Sequence, residues 1–255
     1  MPAPPEELSA NGPASRSTSP SNDRRPLDRV AVALDTDDWQ QFAAWCRLFG
    51  PRVGLLKVGL QAFVRWGARA VETAQASGRG VFLDLKLHDI PNTVAGAVAA
   101  ARSLEVQLLT VHAGGAEPML RAAVEAAGND VAILAVTLLT HLGDEELTAL
   151  DLPGGATVRV ERWAELAARA GCAGVVCSPQ ETAALRQRLP RPFLLVTPGV
   201  RPAGSTPGDQ RRVATPAAAL RDGADWLVVG RPLTGAPDPA AALAALEEEL
   251  AGPAG

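Results

Sequence analysis

Residues 81–94 read "VFLDLKLHDIPNTV", and the change of character inside this stretch sets the reading of the whole chain. Val81, Phe82 and Leu83 suit a strand buried on both faces, yet Asp84, Lys86 and Asp89 follow within six positions. Charge at the end of a buried strand costs free energy unless it is paired or used. Ile90-Pro91 then imposes a turn, because the residue before a proline is pushed towards extended geometry. A helical pattern follows at 93–104. The unit is a buried strand, a charged exit and a helix.

That unit recurs. Apolar, β-branched runs stand at 30–35, 53–59, 80–86, 106–112, 131–137, 172–178, 193–199 and 226–230. Their near-continuous apolar character fits a parallel sheet covered on both faces. Amphipathic segments separate them, at 38–49, 60–77, 93–104, 116–127 and 157–170, with further helices opening at "SPQE" (178–181), "TPAAALRDG" (215–223) and "DPAAALAALEEEL" (238–250). In "SPQE", Ser178 is read as the N-cap, Pro179 as the first helical residue and Glu181 as the reciprocal capping group. Eight such units predict an α/β fold of the (β/α)8 TIM-barrel type, a single catalytic domain over 29–251. Two smaller doubly wound domains are the alternative, but no linker divides the middle. The stretch 1–28, rich in Pro and Ser without periodicity, reads as a disordered tail.

Composition narrows the function. With 47% hydrophobic and 20% charged residues and a net charge of −4, the 255-residue chain has a core but no general attraction for nucleic acid or anionic membrane. No apolar run is long and pure enough to span a bilayer, and the N-terminus lacks a signal-peptide pattern, so a cytoplasmic location is expected. Cys46, Cys172 and Cys177 are odd in number and without a CxxC pair, which argues against a disulfide framework or a cysteine zinc site. They read as small buried hydrophobes.

The polar residues have a common position. Asp35, Lys57, Asp84, Lys86, His112, Thr137, Ser178, Thr197 and Gly230-Arg231 all fall at C-terminal ends of predicted strands, the face on which barrel enzymes build their sites. Asp84 and Lys86 are two apart and so share a strand face, with Lys57 able to approach from an earlier strand. An ammonium among carboxylates is a proton donor rather than a Schiff-base nucleophile. A buried structural ion-pair network is an equally open reading of DxK alone. "PGVRPAGSTPGDQRR" and "GRPLTG" occupy the loops after strands seven and eight, where barrels often hold phosphate, and 202–210 has the composition of a lid.

Taken together, "DLKLHDIPNT" (84–93), "LLKVG" (55–59), "AVTLLT" (135–140), "VVCSPQE" (175–181), "TPGVRPAGSTPGDQRR" (197–212) and "VVGRPLT" (228–234) resemble the orotidine 5′-monophosphate decarboxylases, in order from Arg29 to Leu250. The resemblance implies loss of CO2 from C6 of the pyrimidine without metal or organic cofactor, as the last step of de novo UMP synthesis. By position, it implies that Lys86 protonates C6 and Asp84 sits beside the departing carboxylate. Lys57 would link Asp84 to the ribose, and Asp35 would bind a ribose hydroxyl. Thr140 would meet the pyrimidine edge, beside a His141 that departs from the usual pattern. Arg201, Gln210, Gly230 and Arg231 would bind ligand, while Asp89 and Thr93 would reach the neighbouring subunit's site in a homodimer. His88 and His112 have no proton-transfer role on this reading. Two rivals remain: a Mg2+-dependent sister such as hexulose-phosphate synthase or ketogulonate-phosphate decarboxylase, and an idle ligand-binding barrel.

Overall fold

A computed structural model describes residues 25–152, 154–201 and 214–252. Eight parallel strands close into one barrel in sequence order: β1 (Val30–Ala33), β2 (Leu55–Gly59), β3 (Gly80–Leu87), β4 (Leu108–His112), β5 (Ala132–Val136), β6 (Gly174–Val176), β7 (Leu194–Pro198) and β8 (Trp226–Val229). Closure of β8 onto β1 disposes of the two-domain alternative.

Helices fill each crossover. They are α1 (Trp39–Phe49), α2 (Leu60–Trp66), α3 (Ala68–Gln75), α4 (Pro91–Arg102), α5 (Ala116–Ala127), α6 (Asp144–Ala149), α7 (Gly155–Arg169), α8 (Pro179–Arg188), α9 (Pro216–Arg221), α10 (Arg231–Thr234) and α11 (Pro239–Ala251). The single helix expected over 60–77 is two, because Gly67 adopts φ +57°, ψ −136° and breaks the ladder between α2 and α3. The α8 start matches its sequence signature: Ser178 Oγ accepts from Gln180 N at 3.3 Å, and Glu181 Oε2 accepts from Ser178 N at 2.9 Å. The packed body also reaches ahead of the Arg29 boundary, since Leu27 in the 3-10 turn Pro26–Arg29 is buried. Residues 1–24, most of the expected tail, lie outside the described residues.

Strand alternation sorts the apolar residues into two layers. Leu56, Val58, Val81, Leu83, Leu109 and Val111 face the helices, fully buried. Leu55, Phe82, Leu108, Leu134, Val196 and Trp226 fill the interior. All three cysteines are free and buried. Among the described residues, no helix is long and apolar enough to cross a membrane.

The end of the barrel opposite the rim is clamped by Asp225, which is fully buried just before β8. Its Oδ2 accepts from Arg186 Nη2 at 2.5 Å and Leu195 N at 2.8 Å, and its Oδ1 accepts from Arg191 Nε at 2.9 Å. Removing one partner of such a network leaves buried charge uncompensated. Asp225→Ala is therefore expected to lose about 3–5 kcal/mol of stability in urea denaturation. A loss below about 1 kcal/mol would show that the clamp is solvated and unimportant.

Candidate active site

At the C-terminal rim, β3 leaves its regular course. Leu83 pairs with Leu109, and the next β3–β4 pair is Leu87 with Val111, so β3 carries two more residues than β4 over that interval. Within this bulge Lys86 takes φ +51°, a left-handed conformation costing a non-glycine residue about 1–3 kcal/mol. Bulges beside active sites re-aim side chains. Asp84 and Lys86, two residues apart, meet within this bulge, with Nζ 2.8 Å from Oδ1.

Asp84 is the centre of the cluster. Its Oδ1 lies 2.8 Å from Lys86 Nζ, and its Oδ2 lies 3.1 Å from Lys57 Nζ. Thr110 Oγ1, on β4, donates to Oδ1 at 2.9 Å and accepts from Lys86 N at 2.9 Å. Lys57 Nζ also stands 3.8 Å from Asp35 Oδ1 at the end of β1. A Cβ at Gly59 would come within 2.6 Å of Asp35 Oδ1 and 3.0 Å of Lys57 Nζ, so a side chain there would displace this pair.

The charges of these groups follow from their neighbours. Burial of Asp84 favours its neutral form, but the Lys57 and Lys86 ammoniums outweigh burial and hold its pKa down to about 2. Burial of Lys57 opposes its charge, and the carboxylates of Asp84 and then Asp35 reverse that, raising its pKa. Burial pushes the Cys177 thiol up to about 12, so it is not a thiolate.

The cluster forms one wall of a cavity of about 420 Å3, within the range of small-ligand sites. Val136, Leu138, Val176, Pro198 and Val228 supply an apolar lining, and Thr140 also lines the cavity. Gly199, Arg201, Gly230 and Arg231 close the far side. Gly199 needs to be glycine, with φ +77°. At Gly230 a Cβ would make an ordinary 3.5 Å contact with Ala33. Arg201 Nε is buried with no hydrogen-bond partner among the described residues. Burial and then the nearby Arg231 charge lower the Arg201 pKa.

Asp35, Lys57, Asp84, Lys86, Gly230 and Arg231, expected from their strand ends, share one cavity with Thr140 and Arg201, which the resemblance implied. Asp89 and Thr93 do not line it, and both are exposed. Gln210 and the expected lid at 202–210 lie outside the described residues. Four other rim residues turn elsewhere. Thr137 Oγ1 donates to Val176 O at 2.8 Å, Thr197 Oγ1 faces Thr182 Oγ1 at 3.4 Å, and Ser178 caps α8. His112 stacks on His88 with ring centroids 5.1 Å apart. Rim position alone overcounted, because a side chain at a strand end can bond its own scaffold. Sequence reasoning also missed Thr110. Its signal is a lone hydroxyl in "LLTVH", two residues past the inward-facing Leu108.

The sequence model of the orotidine 5′-phosphate decarboxylase / HUMPS family matches residues 28–246. The chain belongs to this family. A protein of Anaeromyxobacter sp. (strain K) named orotidine 5′-phosphate decarboxylase is 53% identical over 226 residues, covering 89% of this chain and 100% of its own. A Thermobifida fusca protein of the same name is 52% identical over 222 residues, covering 87% of this chain and 95% of its own. A crystal structure of orotidine 5′-phosphate decarboxylase from Lactobacillus acidophilus matches the fold with a TM-score of 0.76 at 36% identity, covering 87% of this chain and 98% of that one. Family membership at this level covers the whole described barrel, including all three sectors of the cavity.

The pKa directions give a stability signature. Asp84, lowered from 3.8 to about 2, contributes stability that is present above its unfolded value and lost as pH falls through its folded one. Lys57, raised, contributes below its ordinary value and loses that only at strongly alkaline pH. The stability gap between wild type and Asp84→Asn in urea denaturation is expected to shrink on acidification, by about 1 kcal/mol at pH 3 and about 2 kcal/mol at pH 2. A gap independent of pH would rule out Asp84 as the ionised centre.

Proposed function

We propose that this chain decarboxylates orotidine 5′-monophosphate to UMP, with Lys86 delivering the proton to C6. The observation that carries the reading is one buried carboxylate with an ammonium on each oxygen, Lys86 at 2.8 Å and Lys57 at 3.1 Å, in a cavity that also holds two arginines. The names of the relatives at about half identity point the same way.

The three sectors of the cavity suit the three parts of that substrate. Arg231 and Arg201 match the phosphate in charge, and a guanidinium fork suits phosphate oxygens. The apolar lining of Val136, Leu138, Val176 and Pro198 offers a dry surface for the pyrimidine, with Thr140 at its polar edge. Asp35 and Lys57 are the groups for the ribose hydroxyls. The pyrimidine C6 then faces Asp84 and Lys86.

In the reaction the bond from C6 to the carboxylate breaks, CO2 leaves, and the electron pair stays on C6. The Lys86 ammonium stabilises that charge and transfers a proton from Nζ to C6, giving UMP, then regains a proton from solvent. Preorganised charge of this kind supplies transition-state stabilisation without reorganisation at the moment of reaction. Asp84 holds both ammoniums in place and presents negative charge to the departing carboxylate. The Mg2+-dependent sister reaction is the less favoured reading. A divalent cation at Asp84 would have to displace the two ammoniums that already occupy its oxygens.

The assembly follows from Asp89 and Thr93. Both are exposed outside their own cavity, and Leu60, Val64 and Ile90 are 50%, 80% and 66% exposed where the chain leaves β2 and β3. A second copy covering this apolar face would receive Asp89 and Thr93 into its own site. The active form is then a homodimer with shared sites.

The direct test is the loss of substrate absorbance on adding orotidine 5′-monophosphate to the purified chain, with and without EDTA. Full activity in EDTA is expected, and Lys86→Ala should lower kcat on the order of 10³-fold while still binding UMP. Activity abolished by EDTA, or Lys86→Ala turning over near wild type, would overturn the reading. For the shared site, Lys86→Ala and Asp89→Ala are mixed, dissociated and reassociated. With random pairing, about a quarter of the sites should be wild type and activity should return. No recovery, with subunit exchange verified, would place Asp89 in its own chain's site.

A further inference from the structure

We propose that Thr110 is a positioning residue for the Asp84–Lys86 pair, setting the turnover rate without touching substrate. The inference rests on the decarboxylase reading above, and its argument is geometric. Thr110 lies on β4 in the interior column above Leu108, is completely buried, and does not line the cavity. Its hydroxyl accepts from Lys86 N and donates to Asp84 Oδ1, each at 2.9 Å, and the same Oδ1 is 2.8 Å from Lys86 Nζ. The contacts close a ring from the Lys86 backbone through Thr110 and Asp84 to the Lys86 ammonium.

A hydroxyl has one proton and two lone pairs. Asp84 and the Lys86 N–H use both capacities, so no apolar side chain can replace Thr110 without leaving a buried donor and a carboxylate oxygen short of a partner. The Lys86 backbone is also where the chain needs holding, because it sits at φ +51° inside the β3 bulge. Thr110 is therefore placed to fix two things at once, the orientation of the Asp84 carboxylate and the path of the main chain that carries the proton donor. Of the residues proposed for ribose and phosphate, Asp35, Arg201 and Arg231 come from other strand ends, and Lys57 is held by the other oxygen of Asp84 and by Asp35.

The effect should accordingly fall on kcat rather than on binding. Loss of the hydroxyl in Thr110→Val or Thr110→Ala is expected to lower kcat on the order of 10²-fold, the cost of misplacing a reacting group by about an ångström. KM for orotidine 5′-monophosphate and the Kd for UMP by calorimetry should stay within about threefold of wild type. Thr110→Ser, which differs from Thr110→Ala by the hydroxyl alone, should recover kcat to within about tenfold of wild type. If Thr110→Val does not fold, the Ser and Ala pair still decides the matter. Equal kcat for Ser and Ala, unchanged kcat in Val, or a loss of UMP affinity matching the loss of kcat would overturn the positioning role. Failure of the wild-type chain to decarboxylate would instead remove the reading beneath it. An active wild type with indifferent Thr110 variants removes only this inference.

Discussion

A single buried carboxylate shared by two ammoniums organises the rim of this barrel. Asp84 has little access to water, and an ionised group in that position is tolerated only when its oxygens are occupied. Lys57 on β2, Lys86 on the β3 bulge and Thr110 on β4 meet that requirement from three adjacent strands. A closed parallel sheet is suited to this, because neighbouring strands run in register and deliver side chains to one level. The same requirement explains Gly59, whose missing side chain leaves room for Lys57 and Asp35.

Stability and chemistry occupy opposite ends of the molecule. At the N-terminal end, Asp225 ties Arg186, Arg191 and the start of β7 together, and Arg29 donates to the main-chain carbonyls of Ala224 and Asp225. Above that end, Trp226, Leu55, Leu108 and Phe82 fill the interior without charge. The charged groups of the cavity collect at the mouth, with a lysine–aspartate cluster, an apolar lining and two arginines. The scaffold beneath can be rigid because it carries no reacting group. The strain at Lys86 is confined to the bulge.

Much of this was legible before any tertiary contact was known. The alternation of apolar strands with amphipathic helices, the Ser178–Glu181 cap and the charged strand exits are written in consecutive residues, where periodicity, capping and charge act over a few positions. The stretch 84–93 and the two arginine loops carried the family resemblance, since chemistry of this kind demands residue types at fixed local spacing. The break at Gly67 was a local feature too, but one that helical propensity alone does not predict.

Tertiary structure decided which polar residues converge. Thr137, Ser178, Thr197 and His112 hold the same rim position in sequence as Asp84, yet they satisfy the scaffold instead of the cavity. Thr110 looks like an ordinary interior residue of a strand until β3 bulges and brings Asp84 and the Lys86 backbone onto its hydroxyl, with Asp84 26 residues away along the chain. Local residue order carries the eight repeating units and the residue types available at each strand end. The register between strands distant in sequence decided which of those residues touch, because a hydrogen bond depends on distances of a few ångströms that no local pattern specifies.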